Sequence, residues 1–93
     1  MEEETVSQIL EYEVNQVLVS TMSCYYFLVQ VKTGHVLKRI KGRSKQSIDL
    51  IRVPYYENLG AKNIYCGVEN ECYILLDVEN EKTRVLQTER AEN

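Results

Sequence analysis

The surest pattern in the chain is Cys24 to Val31, Cys-Tyr-Tyr-Phe-Leu-Val-Gln-Val. Tyr25, Phe27, Val29 and Val31 fall on one side of an extended chain, and Cys24, Tyr26, Leu28 and Gln30 on the other. Both sides are largely apolar, which predicts a central strand covered on two faces. Lys32-Thr33-Gly34-His35 reads as a turn, with Gly34 free to take positive φ. Val36 to Ile40 then returns as the partner strand, and Gly42 ends it. Downstream, Lys62 to Val68 is a strand and Glu69-Asn70-Glu71 a turn. Cys72 to Val78 is a strand with Cys72, Ile74, Leu76 and Val78 inward and Tyr73, Leu75 and Asp77 opposite. Residues 79–82 turn the chain, Thr83 to Gln87 is the last strand, and residues 1–4 and 88–93 read as frayed ends.

Two segments are ambiguous. Val6, Ile9, Leu10, Val14, Val17 and Leu18 have helix spacing, with Thr5 and Gln8 placed for a capping box. Against this, Leu10, Tyr12 and Val14 alternate with Glu11, Glu13 and Asn15, and Val17 and Val19 alternate one register later. A strand over residues 9–20 with a bulge near Gln16 is preferred over the helix. Residues 45–59 read as helical, with Ser47, Ile48, Ile51 and Tyr55 on one stripe, Ser44 as a cap and an interruption or kink at Pro54. The expected fold class is therefore α+β: one domain over residues 1–93, an antiparallel sheet of about five strands and one helical segment. A weak internal echo links the strand opened by Cys24-Tyr25, with Val36-Leu37 after its turn, to that opened by Cys72-Tyr73, with Val85-Leu86 after its turn. Strand propensity alone could produce it, so it is no sign of duplication.

Composition narrows this picture. At 93 residues and 44% hydrophobic, the chain buries roughly 60 to 65% of its unfolded surface in one modest core. That favours a shallow or shared site over a deep pocket. No run of 18 apolar residues predicts a membrane span, and the acidic start Met1-Glu2-Glu3-Glu4 is unlike a secretory signal. A cytoplasmic location is expected. Cys24, Cys66 and Cys72 are an odd number in a short chain, read as reduced and mostly buried. The alternative is a Cys66–Cys72 bridge across a hairpin.

Charge changes the picture more. The net charge of -3 hides three blocks: -5 over residues 1–31, +6 over 32–52 and -4 over 53–93. The central block is Lys32, Lys38, Arg39, Lys41, Arg43, Lys45 and Arg52. Such a run can neutralise phosphates or dock on an acidic protein surface. It can also be a solvated loop balanced by the acidic ends.

Catalytic chemistry is hard to place. The sole histidine, His35, lies in an expected turn, where nothing would desolvate it or fix its tautomer. No short Cys-x-x-Cys spacing marks a zinc site, and four glycines form no phosphate loop. No catalytic residue, cofactor or metal is expected. The sequence points to a small non-enzymatic binding or regulatory protein that meets a protein partner or a second copy of itself as a homodimer. The alternative is a nucleic-acid binder using the basic 38–45 segment and neighbouring tyrosines. The candidate binding residues are Lys38, Arg39, Lys41, Arg43, Lys45 and Arg52, with Tyr25 and Tyr26 beside them.

Overall fold

Period-two alternation dominates the whole chain. The computed structural model describes residues 4–54 and 60–87. Strands β1 (Val6–Glu13), β2 (Gln16–Thr21), β3 (Tyr25–Gln30) and β4 (Val36–Lys41) form one antiparallel sheet in chain order. Strands β5 (Ile51–Arg52), β6 (Ile64–Glu69), β7 (Cys72–Asp77) and β8 (Lys82–Gln87) form a second in the same manner. The α+β expectation is thus corrected. The fold is two four-stranded meanders, with no α-helix among the described residues.

The helix expected over residues 45–59 fails for a local reason. Ile48 and Leu50 are buried, whereas Ile51 is 69% exposed. A helical stripe would have buried Ile48 and Ile51 together, so the spacing of two won over the spacing of three. Residues 42–50 run without regular structure into the short β5. Positions 55–59 of that expectation lie outside the described residues, as do tail residues 1–3 and 88–93.

The N-terminal ambiguity resolves as a hairpin. The alternation shifts near Gln16 because the chain turns there, just after a register irregularity in β1 between Glu11 and Glu13. Glu13 pairs with Gln16 across a turn in which Asn15 takes φ 64°. Asparagine tolerates that left-handed conformation better than most residues. The helical stripe of Val6, Ile9, Leu10 and Val14 is accordingly split, and Val14 stands 94% exposed at the turn. Another hairpin turns at Asn70 and Glu71, both at positive φ, between the paired Glu69 and Cys72.

One core holds the two sheets together. It joins Tyr12, Leu18, Cys24, Tyr26, Leu28 and Ile40 of the first half to Ile48, Leu50, Tyr65, Ile74, Leu76 and Val78 of the second. Inter-sheet hydrogen bonds seal its margins. Gln8 Nε2 donates to the Leu50 carbonyl (2.9 Å), and the Leu50 amide donates back to Gln8 Oε1 (3.0 Å). This side-chain amide satisfies a buried backbone unit as a neighbouring strand would. The Tyr65 hydroxyl donates to the Glu11 carbonyl, and Arg52 Nη1 to the Tyr12 carbonyl at 2.8 Å.

Two glycines permit close passage. A Cβ at Gly42 would lie 2.3 Å from Cys24 Sγ and 2.5 Å from the Cys24 carbonyl. A Cβ at Gly67 would lie 2.7 Å from the Asp49 carbonyl, so Gly67 lets the 48–50 segment cross β6. The cysteines are all free. Strand register places Cys66 opposite Leu75 and Cys72 opposite Glu69. Alternation then turns their side chains to opposite faces, which a disulfide cannot join. Burial pushes the Cys66 thiol up from its ordinary range.

Candidate interaction surface

Each strand of the first sheet sends one set of side chains to the core and the other outward. Leu18, Tyr26, Leu28 and Ile40 go inward. Register then fixes what lies together outside. One row runs Ile9, Val19, Phe27, Arg39 across β1 to β4. The next runs Glu11, Val17, Val29, Val36. At the end of the strands, Tyr25 pairs with Lys41.

The result is a broad apolar face. Val17, Val19, Tyr25, Phe27 and Val29 are half-buried by one another, while Ile9 and Val36 are 63% and 56% exposed. None of these residues belongs to the core between the sheets. Tyr25 and Phe27 stack with centroids 6.4 Å apart. The Arg39 guanidinium lies over both, 4.9 Å from the Tyr25 ring centre and 5.9 Å from that of Phe27. These are cation–π distances.

The face is also polarised. Its β1 edge carries Glu11 and its β4 edge carries Arg39 and Lys41. Among the described residues, Glu11, Arg39 and Lys41 have no ion-pair partner within the chain. At the end nearest Tyr25, Glu4 accepts a hydrogen bond from the Ser23 hydroxyl at 2.6 Å. That bond, then one from Thr21, with the charge of Arg39 adding, holds the Glu4 carboxyl below its usual range.

The structure divides the basic block of the sequence. Arg39 and Lys41 lie on the outer face beside Tyr25, and Arg43 and Lys45 are exposed in the following loop. Lys38 points the other way, donating from Nζ to the carbonyls of Val78 (3.2 Å) and Glu79 (2.9 Å). Arg52 binds the Tyr12 carbonyl and the Asn63 side chain. Lys32 lies in the β3–β4 loop, at the opposite end of β4 from Lys41. Tyr26 is 1% exposed, with its hydroxyl 3.3 Å from Cys24 Sγ, so it has no ring face to offer a ligand. The seven cations therefore form no single patch.

Sequence reasoning missed Ile9, Val17, Val19, Phe27, Val29 and Val36. The signal was present in β3, whose two faces are both apolar. It implied a second cover, but only one face is covered from within the fold. In an open cleft lined by Tyr12, Glu13, Gln16, Lys38 and Asn63, the Lys38 ammonium is held by the Glu79 carbonyl and the Asn63 amide oxygen by Arg52. Among the described residues, no three His, Cys, Asp or Glu side chains cluster as metal ligands. No helix is long and apolar enough to cross a membrane. No family model, curated protein or solved structure matches the chain.

Proposed function

We propose that this chain is a small non-enzymatic binding or regulatory protein that works through protein–protein contacts, with the outer face of β1–β4 as its docking surface. The observation that carries this is the apolar sheet face itself. Seven side chains, Ile9, Val17, Val19, Tyr25, Phe27, Val29 and Val36, lie contiguously outside the core, with charge only at the margins. Contiguous apolar surface rimmed by polar groups is characteristic of interaction sites, whereas scattered exposed apolar residues are ordinary. Aromatic side chains within such a face, with an arginine beside them, suit the anchors of protein interfaces.

The same face favours one other reading. Tyr25 and Phe27 beside Arg39 and Lys41 resemble a base-stacking platform on a sheet. The overall charge of -3 and the acidic β1 edge oppose a polyphosphate, and Arg39 already covers both rings. Protein is therefore the better fit.

A photoreactive amino acid at position 19, with one at position 73 on the second sheet as control, tests this in the native host. Nuclease-resistant protein adducts from position 19 and few from position 73 are expected. Adducts that disappear on nuclease treatment would give the nucleic-acid reading, and the absence of any adduct at 19 would sink both.

A further inference from the structure

Resting on that docking surface, we infer that its occupant is a second copy of the same chain, packed face to face about a two-fold axis parallel to the strands. The inference comes from how charge is distributed over the strand order.

Sheet order β1-β2-β3-β4 puts the acidic strand at one edge and the basic strand at the other. Four ways of joining two such sheets can be compared. Edge pairing of β1 with β1, or β4 with β4, brings like charges directly opposite, which is unfavourable. Pairing β1 with β4 edge to edge joins opposite charges but does not close, and leads to open chains. Stacking the faces about an axis across the strands lays β1 over β1 and β4 over β4, again like on like.

Stacking about an axis along the strands reverses the order of one sheet over the other. Now β1 of each copy lies over β4 of its partner, and β2 over β3. The Glu11 carboxylate stands one row, about 7 Å along the strands, from the partner's Arg39, a gap these two long side chains span, twice per dimer by symmetry. The valines of β2, Val17 and Val19, meet the partner's Phe27 and Val29. This is the closed arrangement in which every margin is complementary and the whole apolar row is covered.

The size of the face sets the strength. Four strands, one of eight residues and three of six, make a surface of about 20 by 20 Å. That is about 800 Å² over both copies, below standard specific interfaces and in the range of weak, transient ones, so dissociation in the micromolar range or weaker is expected.

Sedimentation of the full chain from about 1 to 300 μM, at low salt, tests the idea directly. Mass should rise from 10.9 kDa toward twice that value. Glu11→Arg and Arg39→Glu should each weaken the dimer about tenfold, since each places like charges in both symmetry-related contacts. Mixed in equal amounts, the two variants should recover wild-type affinity, because both contacts of the mixed dimer then join opposite charges. Circular dichroism checks that each variant is folded. Glu11→Arg leaves the stacking of Arg39 on Tyr25 and Phe27 intact, so it stands if Arg39→Glu does not fold.

Recovery on mixing would establish both the partner and the axis. A mass fixed at 10.9 kDa throughout would overturn the second-copy inference while leaving the docking surface to its crosslinking test. A dimer unmoved by either variant, and by Phe27→Thr, would overturn this interface and remove the main support for the surface as well. Wild-type monomer that binds single-stranded oligonucleotide through Arg39 would also overturn it.

Discussion

The two sheets share a plan and differ in what they leave outside. Each is a four-stranded antiparallel meander in chain order. Each supplies its third strand to the middle of the core: Tyr26 and Leu28 from β3, Ile74 and Leu76 from β7. Counted from Cys24 and Cys72, these inward residues stand at the same offsets. The sequence echo at Cys24-Tyr25 and Cys72-Tyr73 therefore marks equivalent strands, whatever its origin. Outside, the sheets diverge. On the second sheet's outer face, Leu75 and Ile64 are only 5% and 6% exposed although they stand apart from the core cluster, while Ile51, Val68, Tyr73 and Leu86 around them are open to solvent. Asp77 there pairs directly with Lys82 on the neighbouring strand. On the first sheet, the apolar centre stays half exposed and Glu11 stands on the opposite edge strand from Arg39 and Lys41. Equal demands of a shared core produce the likeness. The difference lies in surface that folding does not require, and that is where function is best sought.

The equivalence of the third strands can be broken most sharply in the core. Leu28 and Leu76 occupy matching positions, 4% and 0% exposed. Leu28→Ala and Leu76→Ala should each cost about 3 kcal/mol, combining lost transfer energy with the cavity left behind. Urea denaturation of each variant measures this. A cost below 1 kcal/mol at one position and the full cost at the other would show that one sheet contributes little to the core. Phe27→Thr, on the open outer face of the same strand as Leu28, should cost much less in the monomer. A loss as large as that of Leu28→Ala would mean that the outer face is covered after all.

Alkaline pH tests whether the buried tyrosines of both sheets resist ionisation together. Burial pushes Tyr65 of the second sheet up to about 12. In the first sheet, burial first and then the bond to Cys24 raise Tyr26 further, and burial also raises Tyr12. Tyrosine is neutral when protonated, and its unfolded value is near 10. A raised folded value means that the folded state keeps its protons longer. The stability linked to these groups is therefore intact below about pH 10 and is lost as pH rises from there toward 12. Urea midpoints should stay level from pH 8 to 9.5 and fall beyond pH 10. Tyr65→Phe should make that fall shallower. An unchanged slope would assign the alkaline loss to the first sheet alone.

How much of this was legible follows from what each pattern demands. Strong alternation over residues 24–31 and 72–78 announced β3 and β7, because a strand buried between neighbours is specified by its own side chains. The turn at residues 69–71 was equally readable, since the Asn70 position accepts positive φ. Residues 45–54 misled because Ile48 and Ile51 suit a helix stripe as well as Ile48 and Leu50 suit an extended chain. The choice was made far away, by Gln8 bonding both backbone groups of Leu50 and by the space above Gly67. The site was half legible. Arg39, Lys41 and Tyr25 were picked out for charge and aromaticity and do lie together. Lys38 and Arg52 were grouped with them by sequence distance, but strand parity and packing send both to backbone carbonyls. Phe27 and Val29 were read as lying on a covered face of a central strand, because a sequence shows that a face is apolar but not what covers it.

The smallest effect concerns a flaw inside the first sheet that the second does not share. Ser20 on β2 is 1% exposed, pairs with Tyr26 across the sheet, and has no hydrogen-bond partner for its hydroxyl among the described residues. A buried hydroxyl without a partner loses its water and gains nothing in return. Ser20→Ala removes the oxygen while keeping the Cβ, so stability should be unchanged or rise by up to about 1 kcal/mol. The urea midpoint gives the sign. A loss of more than about 1 kcal/mol would mean that the hydroxyl is bonded in solution. The inner face of β2 would then be wetter than the packing of Leu18 and Tyr26 around it implies.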